Sequence, residues 1–304
     1  MNWEHLKVFL AVAEKGSALA ASQALEINHS TVIRRIDQLE AMLDAKLFYR
    51  HQTGYRLTPD GCDVLSAAKG MEDHALQLFR RIRGRDSRIA GQLTVSQPGS
   101  AFIDITEAVF SFSRLYPDIE LNLINTTETI DLGRFEADVA IRLTDTPPET
   151  LVGRRVARLG FGVYAHRDYL SRFDGMPAPA DCAWLLWSGA RTTTVPTAHH
   201  PDKLFMQQFP DYRVVLRSNS MEDILAGLKS GMGVGFISTW RGAADRELVE
   251  LPFQGLLKSL AYESVGLWLL MHPDLKHNAT IGAFLDFMAD YCATRLFAGA
   301  AAPA

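Results

Sequence analysis

Residues Ser17 to Glu40, SALAASQALEINHSTVIRRIDQLE, constrain this chain more than any other stretch, because they hold two short amphipathic helices separated by a tight polar turn. Ser17 follows the helix-stopping Gly16 and supplies a hydroxyl N-cap, so a first helix is expected there, burying Leu19, Ala20, Ala24 and Leu25. Glu26 and Ile27 make the turn. A second helix opens at Asn28 and carries Val32, Ile36 and Leu39 at spacings of four and three on one apolar face. Its other face offers His29, Ser30, Thr31, Arg34 and Arg35. Short polar side chains in the first turn of such a helix reach base edges, and arginines a turn later meet guanine or phosphate. An ordinary helical hairpin with water-facing arginines has the same pattern, since helix-turn-helix signatures are short and degenerate.

The next residues favour the DNA reading. Leu47-Phe48-Tyr49-Arg50 reads as a short strand, His51 to Gly54 as a turn and Tyr55-Arg56-Leu57 as the returning strand, which together make a wing. Arg50, His51 and Arg56 are placed there for phosphates or an adjacent minor groove.

From residue 3 to about 65 the chain resembles the N-terminal domain of LysR-type transcriptional regulators. The matching pieces are LKVFLAVAEKGS, AASQAL, HSTVIRRIDQLE, KLFYR and GYRLTPDG, in that order. Two departures stand out. Ile33 occupies a position where the family usually has serine, exchanging a polar base contact for one suited to a thymine methyl. Asp44 replaces the usual glycine after the recognition helix, and Asp tolerates the left-handed conformation that such an end requires.

Thr58 caps and Pro59 begins a long helix expected to run to about Arg83 and stop at Gly84. Val64, Ala68, Met71, Ala75, Leu78 and Ile82 follow at alternating spacings of four and three, a heptad seam for packing against another helix. Periodicity alone does not distinguish a partner chain from the protein's own core; the resemblance implies dimerisation through this helix. The cluster Arg80, Arg81, Arg83, Arg85 and Arg88 reads as a solvated hinge in preference to a DNA contact.

The 304 residues, 47% hydrophobic, suffice for a small head and one or two larger cored lobes. The net charge of −4 is uneven: residues 1 to 90 carry 13 Lys and Arg against 11 Asp and Glu, while the remainder carries 18 against 24. Specific fit must therefore outweigh bulk attraction to DNA. MNWEHLK lacks the basic start and apolar core of a signal peptide, and no apolar run is long enough to span a bilayer. Cys62, Cys182 and Cys292 are far apart and read as reduced thiols, with no metal spacing.

From Gly91 strands and helices alternate: strand Gln92 to Ser96, helix Ser100 to Tyr116, strand Ile119 to Ile124, short helix Thr129 to Phe135 and strand Ala137 to Arg142. A second set comprises strand Phe161 to Ala165, a long loop-rich region, strand Tyr212 to Leu216, helix Met221 to Ser230 and strand Val234 to Ile237, followed by strand Val265 to Met271 and helix Thr280 to Phe297. Such alternation implies parallel sheets with helical crossovers. It resembles the family's two-lobed effector domain, similar in fold to periplasmic solute-binding proteins, with crossings near 161–165 and 265–271. The fold class expected is thus mixed: a winged helix-turn-helix head (1–59), a linker helix (60–88) and an α/β two-lobed effector domain (90–304). Its first lobe covers about 90–162 and 267–304, and its second about 163–266.

In that topology a ligand sits at the carboxyl ends of strands, between the lobes. The residues there are Pro98, Gly99 and Ser100 after the first strand, Thr126 after the second, and Arg142 and Thr144 at the end of the third. Across the cleft are Thr197 and Asn219. Helix amides, hydroxyls and one arginine suggest a small organic anion. The same Ser, Thr and Asn also serve as ordinary caps and turns.

An enzyme is disfavoured. His199-His200, His166, His272 and His277 complete no recognised ligand spacing, and no Walker loop, dinucleotide glycine pattern or nucleophile elbow is present. No cofactor or metal is expected. A transport solute-binding protein is disfavoured by the head. The resemblance implies a cytoplasmic, nucleoid-associated regulator that binds double-stranded DNA and a small effector, as a homodimer assembling into a homotetramer, with no membrane partner.

Overall fold

The computed structural model describes residues 3–51, 54–84, 88–126, 130–188, 201–261 and 263–297. They fall into two compact units, Met1–Arg80 and Arg81–Ala304.

The first unit opens with α1 (Trp3–Lys15), α2 (Ala18–Ala24) and α3 (His29–Leu43). Ser17 caps α2 by accepting the Ala20 amide at 3.1 Å. The buried face is Ala18, Ala21 and Ser22; of the expected Leu19, Ala20, Ala24 and Leu25, Leu25 packs half-buried against the core, whereas Ala24 is exposed and Leu19 is 59% exposed. The small inward side chains let α2 lie close to its neighbours, so helical phase prevails over side-chain size in deciding which face is buried. Helix α3 buries Val32, Ile36 and Leu39 as expected and ends at Asp44, whose φ of 49° and ψ of 38° are left-handed. Strands β1 (Phe48–His51) and β2 (Gly54–Leu57) pair antiparallel. Phe48 ties this hairpin to the core through rings 5.1 Å from Phe9 and 5.6 Å from Tyr55.

Helix α4 (Pro59–Arg83) starts under a two-way cap, with Thr58 Oγ1 accepting the Gly61 amide at 3.0 Å and donating to the Lys46 carbonyl at 2.5 Å. Its heptad seam divides. Val64 and Ala68 join the core of the head, whereas Met71, Leu78 and Ile82 are 44%, 60% and 63% exposed.

The second unit contains β3 (Gly91–Gln97), α5 (Thr106–Leu115), β4 (Ile119–Asn125), β5 (Val139–Leu143), β6 (Val152–His166), α6 (Arg167–Leu170), β7 (Trp184–Trp187), α7 (Pro201–Gln208), β8 (Val214–Ser218), α8 (Met221–Lys229), β9 (Val234–Ser238), α9 (Thr239–Ala243), β10 (Leu248–Leu251), α10 (Gln254–Ser259), β11 (Ser264–Met271) and α11 (Ala279–Tyr291). The strand order is β4-β3-β5-β11-β6-β9-β7-β8, with β10 on β6. Strand β6 is the spine: Val152 to Gly160 pair with β11, and Phe161 to Ala165 pair with β9. Lobe I therefore gathers β3, β4 and β5 in parallel with β11 antiparallel, and lobe II gathers β7, β8 and β9 in parallel.

Four differences from the sequence reading have physical causes. The strand expected over 161–165 is fifteen residues long, because a crossover strand must pair in both lobes. Strand β7 and helix α7 lie in the region read as loop; Trp184-Leu185-Leu186 is a fully buried run with no period-two alternation to reveal it. Helix α5 begins at Thr106, not Ser100, since Asp104 accepts the Thr106 amide at 3.0 Å and the apolar residues 101–103 pack into the core beforehand. A 3₁₀ turn, Leu132–Arg134, stands within the stretch read as helix from 129 to 135.

Candidate functional site

In the head, the polar face of α3 leaves Asn28, His29, Ser30 and Arg34 exposed and Thr31 half-buried, opposite the buried Val32, Ile36 and Leu39. Asn28 precedes the helix in extended conformation without a side-chain cap bond. Ser30, Ile33, Arg34, Asp37 and Gln38 line one shallow groove, which sets the apolar Ile33 among the polar residues. Arg35 stands apart: its Nη1 is 3.2 Å from Glu4 of α1.

The wing is fastened to α3. Glu40 is 3% exposed, and its carboxylate accepts the amides of Leu47 at 2.9 Å and Phe48 at 3.3 Å, Lys46 Nζ at 2.8 Å and Arg50 Nη2 at 3.2 Å. Burial acts to raise its pKa, but Lys46, the two amides and Arg50 outweigh burial and hold it below the ordinary carboxylate range. Arg50 also meets Asp37 at 2.5 Å and lies over the Tyr55 ring. The structure thus commits Arg50 to bracing the hairpin, a role that the expected phosphate contact did not include. Arg56 is exposed on β2, directly across from Tyr49, which is 53% exposed.

In the second unit, the loop after β3 meets the carboxyl ends of β7 and β9. Ser238 Oγ donates to the Phe102 carbonyl at 2.6 Å in a buried bond between lobes, and the Phe102 ring packs edge-on to Trp187 at 5.0 Å. Trp187 Nε1 donates to the Asn219 carbonyl at 2.9 Å. A Cβ on Gly99 would overlap the Glu222 carboxylate, so lobe II presents an acid to this loop. Pro98 is buried and Ser100 exposed, and neither lies at a helix N-terminus, because α5 starts six residues after Ser100. The expected cradle of helix amides is therefore absent at Pro98, Gly99 and Ser100.

Arg142 donates to Ser96 Oγ at 2.6 Å and to the Ile141 carbonyl, and burial draws its pKa down to about 10. Asp145, three residues further on, is held by Arg158 at 2.9 Å. Thr144 Oγ1 accepts the Thr146 amide at 3.0 Å, and the Thr126 amide donates to the Gln97 carbonyl at 2.9 Å. Asn219 is exposed, while its neighbour Ser220 caps α8. Thr197 lies outside the described residues. Gln97 was missed: it is 4% exposed, its side-chain amide donates to Asn125 Oδ1 at 2.8 Å, and its Oε1 is buried without a hydrogen bond. A polar residue closing the apolar alternation Leu93, Val95 was the available signal.

The profile described as "Bacterial regulatory helix-turn-helix protein, lysR family" matches residues 3–62, and that described as "LysR substrate binding domain" matches residues 86–293. The chain belongs to the LysR family of transcriptional regulators. It pairs a helix-turn-helix DNA-binding head with an effector-binding domain. This LysR-type regulator is 35% identical over 125 residues to the Bacillus subtilis "HTH-type transcriptional regulator GltR", a match covering 41% of this chain and 42% of that one. It is 25% identical to the Klebsiella pneumoniae "Probable HTH-type transcriptional regulator LtrA" over 98% of this chain and 97% of that one. The full-length Vibrio cholerae virulence activator AphB shares the fold, with a TM-score of 0.56 at 20% identity over 96% of this chain and 99% of that one.

Among the described residues no helix is long and apolar enough to cross a membrane, and no group of three His, Cys, Asp or Glu side chains could hold a metal.

Proposed function

We propose that this LysR-type regulator is a ligand-responsive factor that reads double-stranded DNA through Asn28, His29, Ser30, Thr31 and Arg34 of the α3 face, with Arg35, Arg50 and Arg56 supporting phosphate contacts. The observation carrying this is the exposure of the polar face of α3 opposite a fully buried apolar one. Domain boundaries near 59 and 88–90 follow from the same reading. Selection of duplexes from a random pool by the purified protein, followed by footprinting, tests it; recovery of no preferred sequence would refute it.

The exposed half of the α4 seam supports a homodimer, which places two heads on two half-sites. Assembly of dimers into a tetramer through the effector domains extends that reading. The protein works in the cytoplasm on the nucleoid, by binding and not by catalysis.

The effector proposed is a small organic anion, with Thr126, Thr144, Thr197 and Asn219 as polar neighbours. Arg142 beside Ser96 supports this, whereas Asp104 stands at the start of α5 and Glu222 stands against Gly99. The anionic group therefore belongs at Arg142, not at Pro98, Gly99 and Ser100. A thermal-shift screen of small carboxylates against the full chain, repeated on Arg142→Ala, tests this; equal stabilisation of both proteins would remove Arg142 from the site.

A further inference from the structure

The last residue of α4 makes three contacts with lobe I. Arg83 Nη1 lies 2.8 Å from Asp138 Oδ1, its guanidinium sits over the Phe135 ring at 5.4 Å, and its backbone carbonyl accepts Asn278 Nδ2 at 2.8 Å. Asn278 is at the same time the N-cap of α11, accepting the Ile281 amide at 3.0 Å. One of the orphan carbonyls at the end of α4 is therefore satisfied by a residue that starts another helix. Arg83 belonged to a cluster read as a solvated hinge, and the structure makes it a fixed contact instead.

The receiving residue is placed with equal care. Asp138 is 3% exposed, and its second oxygen accepts the Thr94 amide of β3 at 2.9 Å, while its own amide donates to the Thr94 carbonyl at 2.8 Å. Asp138 immediately precedes β5, on which Ala140 and Arg142 share one face, and Thr94 and Ser96 share one face of β3. The pair of strands thus carries the Arg83–Asp138 contact at one end and the Arg142–Ser96 contact about 13 Å away at the other, four residues at strand rise.

We infer that Arg83 is a positioning residue: locked to Asp138, it makes the end of the linker helix move with lobe I, so that a displacement of β5 at Arg142 is delivered to α4 without slack. A solvated hinge would absorb such a displacement. This rests on the effector reading for the source of the movement, whereas the joint itself does not depend on which ligand binds.

The test uses the full chain as wild type, Arg83→Ala, Arg83→Lys and the double variant Arg83→Ala with Asp138→Asn. The double variant removes the buried carboxylate that the single Ala change would strand, so it separates loss of the joint from loss of stability. Hydrogen exchange of the amides of residues 81–84 is expected to quicken at least ten-fold in Arg83→Ala and in the double variant, and to stay within three-fold of wild type in Arg83→Lys. On a duplex selected by the wild-type protein, dyes at the two ends should report a shifted or broadened bend for the Ala variants, with DNA affinity changed less than three-fold. Wild-type exchange in the double variant would overturn the inference, and so would a fall of more than 10 °C in its unfolding midpoint. Because the exchange measurement needs neither DNA nor effector, failure of the joint is distinguishable from failure of the functional reading.

Discussion

The buried carboxylate of Glu40, in the recognition helix, reaches Arg50 in the wing at 3.2 Å and anchors the two backbone amides of Leu47 and Phe48 that begin that wing. Helix and hairpin are thereby set at one angle by a single side chain. Glu40→Gln keeps an acceptor for the amides but loses the charge facing Lys46 and Arg50. Hydrogen bonds to charged groups contribute about 1.5 to 3 kcal/mol, so stability is expected to fall by about that amount in urea titrations, with weaker DNA binding.

The same carboxylate sets a pH dependence. Its pKa is lowered in the folded state, so its contribution is complete above the ordinary carboxylate range and is lost as pH falls through the folded value. Unfolding midpoints measured from pH 7 down to pH 3.5 should decline less steeply in Glu40→Gln than in wild type.

Arg34 and Arg35 are neighbours with different commitments, since Arg34 is exposed and Arg35 is paired with Glu4. Arg34→Ala is expected to weaken binding to a selected duplex by about 1 to 3 kcal/mol in anisotropy titrations and to relax preference at one base position. Arg35→Ala should cost less affinity, and equal losses for the two would contradict the distinction.

Leu78 is 60% exposed on the seam of α4. Leu78→Glu should convert dimers to monomers at micromolar concentration in sedimentation velocity, while the unfolding midpoint of the head, whose core includes Val64 and Ala68, stays nearly unchanged.

Burial pushes the Cys182 and Cys292 thiols up to about 11, whereas Cys62 is exposed on α4. A thiol reagent at pH 8 is expected to label one cysteine in the native protein and three in denaturant; rapid native labelling of Cys292 would show that its site opens.

Much of the head was legible because its signals are local. The Ser17 cap, the four-three spacing of Val32, Ile36 and Leu39, the left-handed tolerance of Asp44 and the Thr58-Pro59 start are each written within about two turns of chain. The inward face of α2 was misread where side-chain size competed with helical phase. In the second unit, the buried run of β7 carried no alternation, and the start of α5 turned on one Asp104 bond that periodicity does not record.

What the sequence by itself determined is the succession of a two-helix reader, a wing, a seamed helix and an alternating α/β domain, since caps and periodicities act between residues a few positions apart. Only the tertiary structure decided the commitments of the charged side chains. Arg50 is spent on Glu40 and Asp37, Arg35 on Glu4, Arg83 on Asp138 and Asp145 on Arg158, at separations of 10 to 55 residues in the chain. A long flexible cation can reach many acids, and which one it meets depends on where the backbone brings them; no spacing in the sequence fixes that choice.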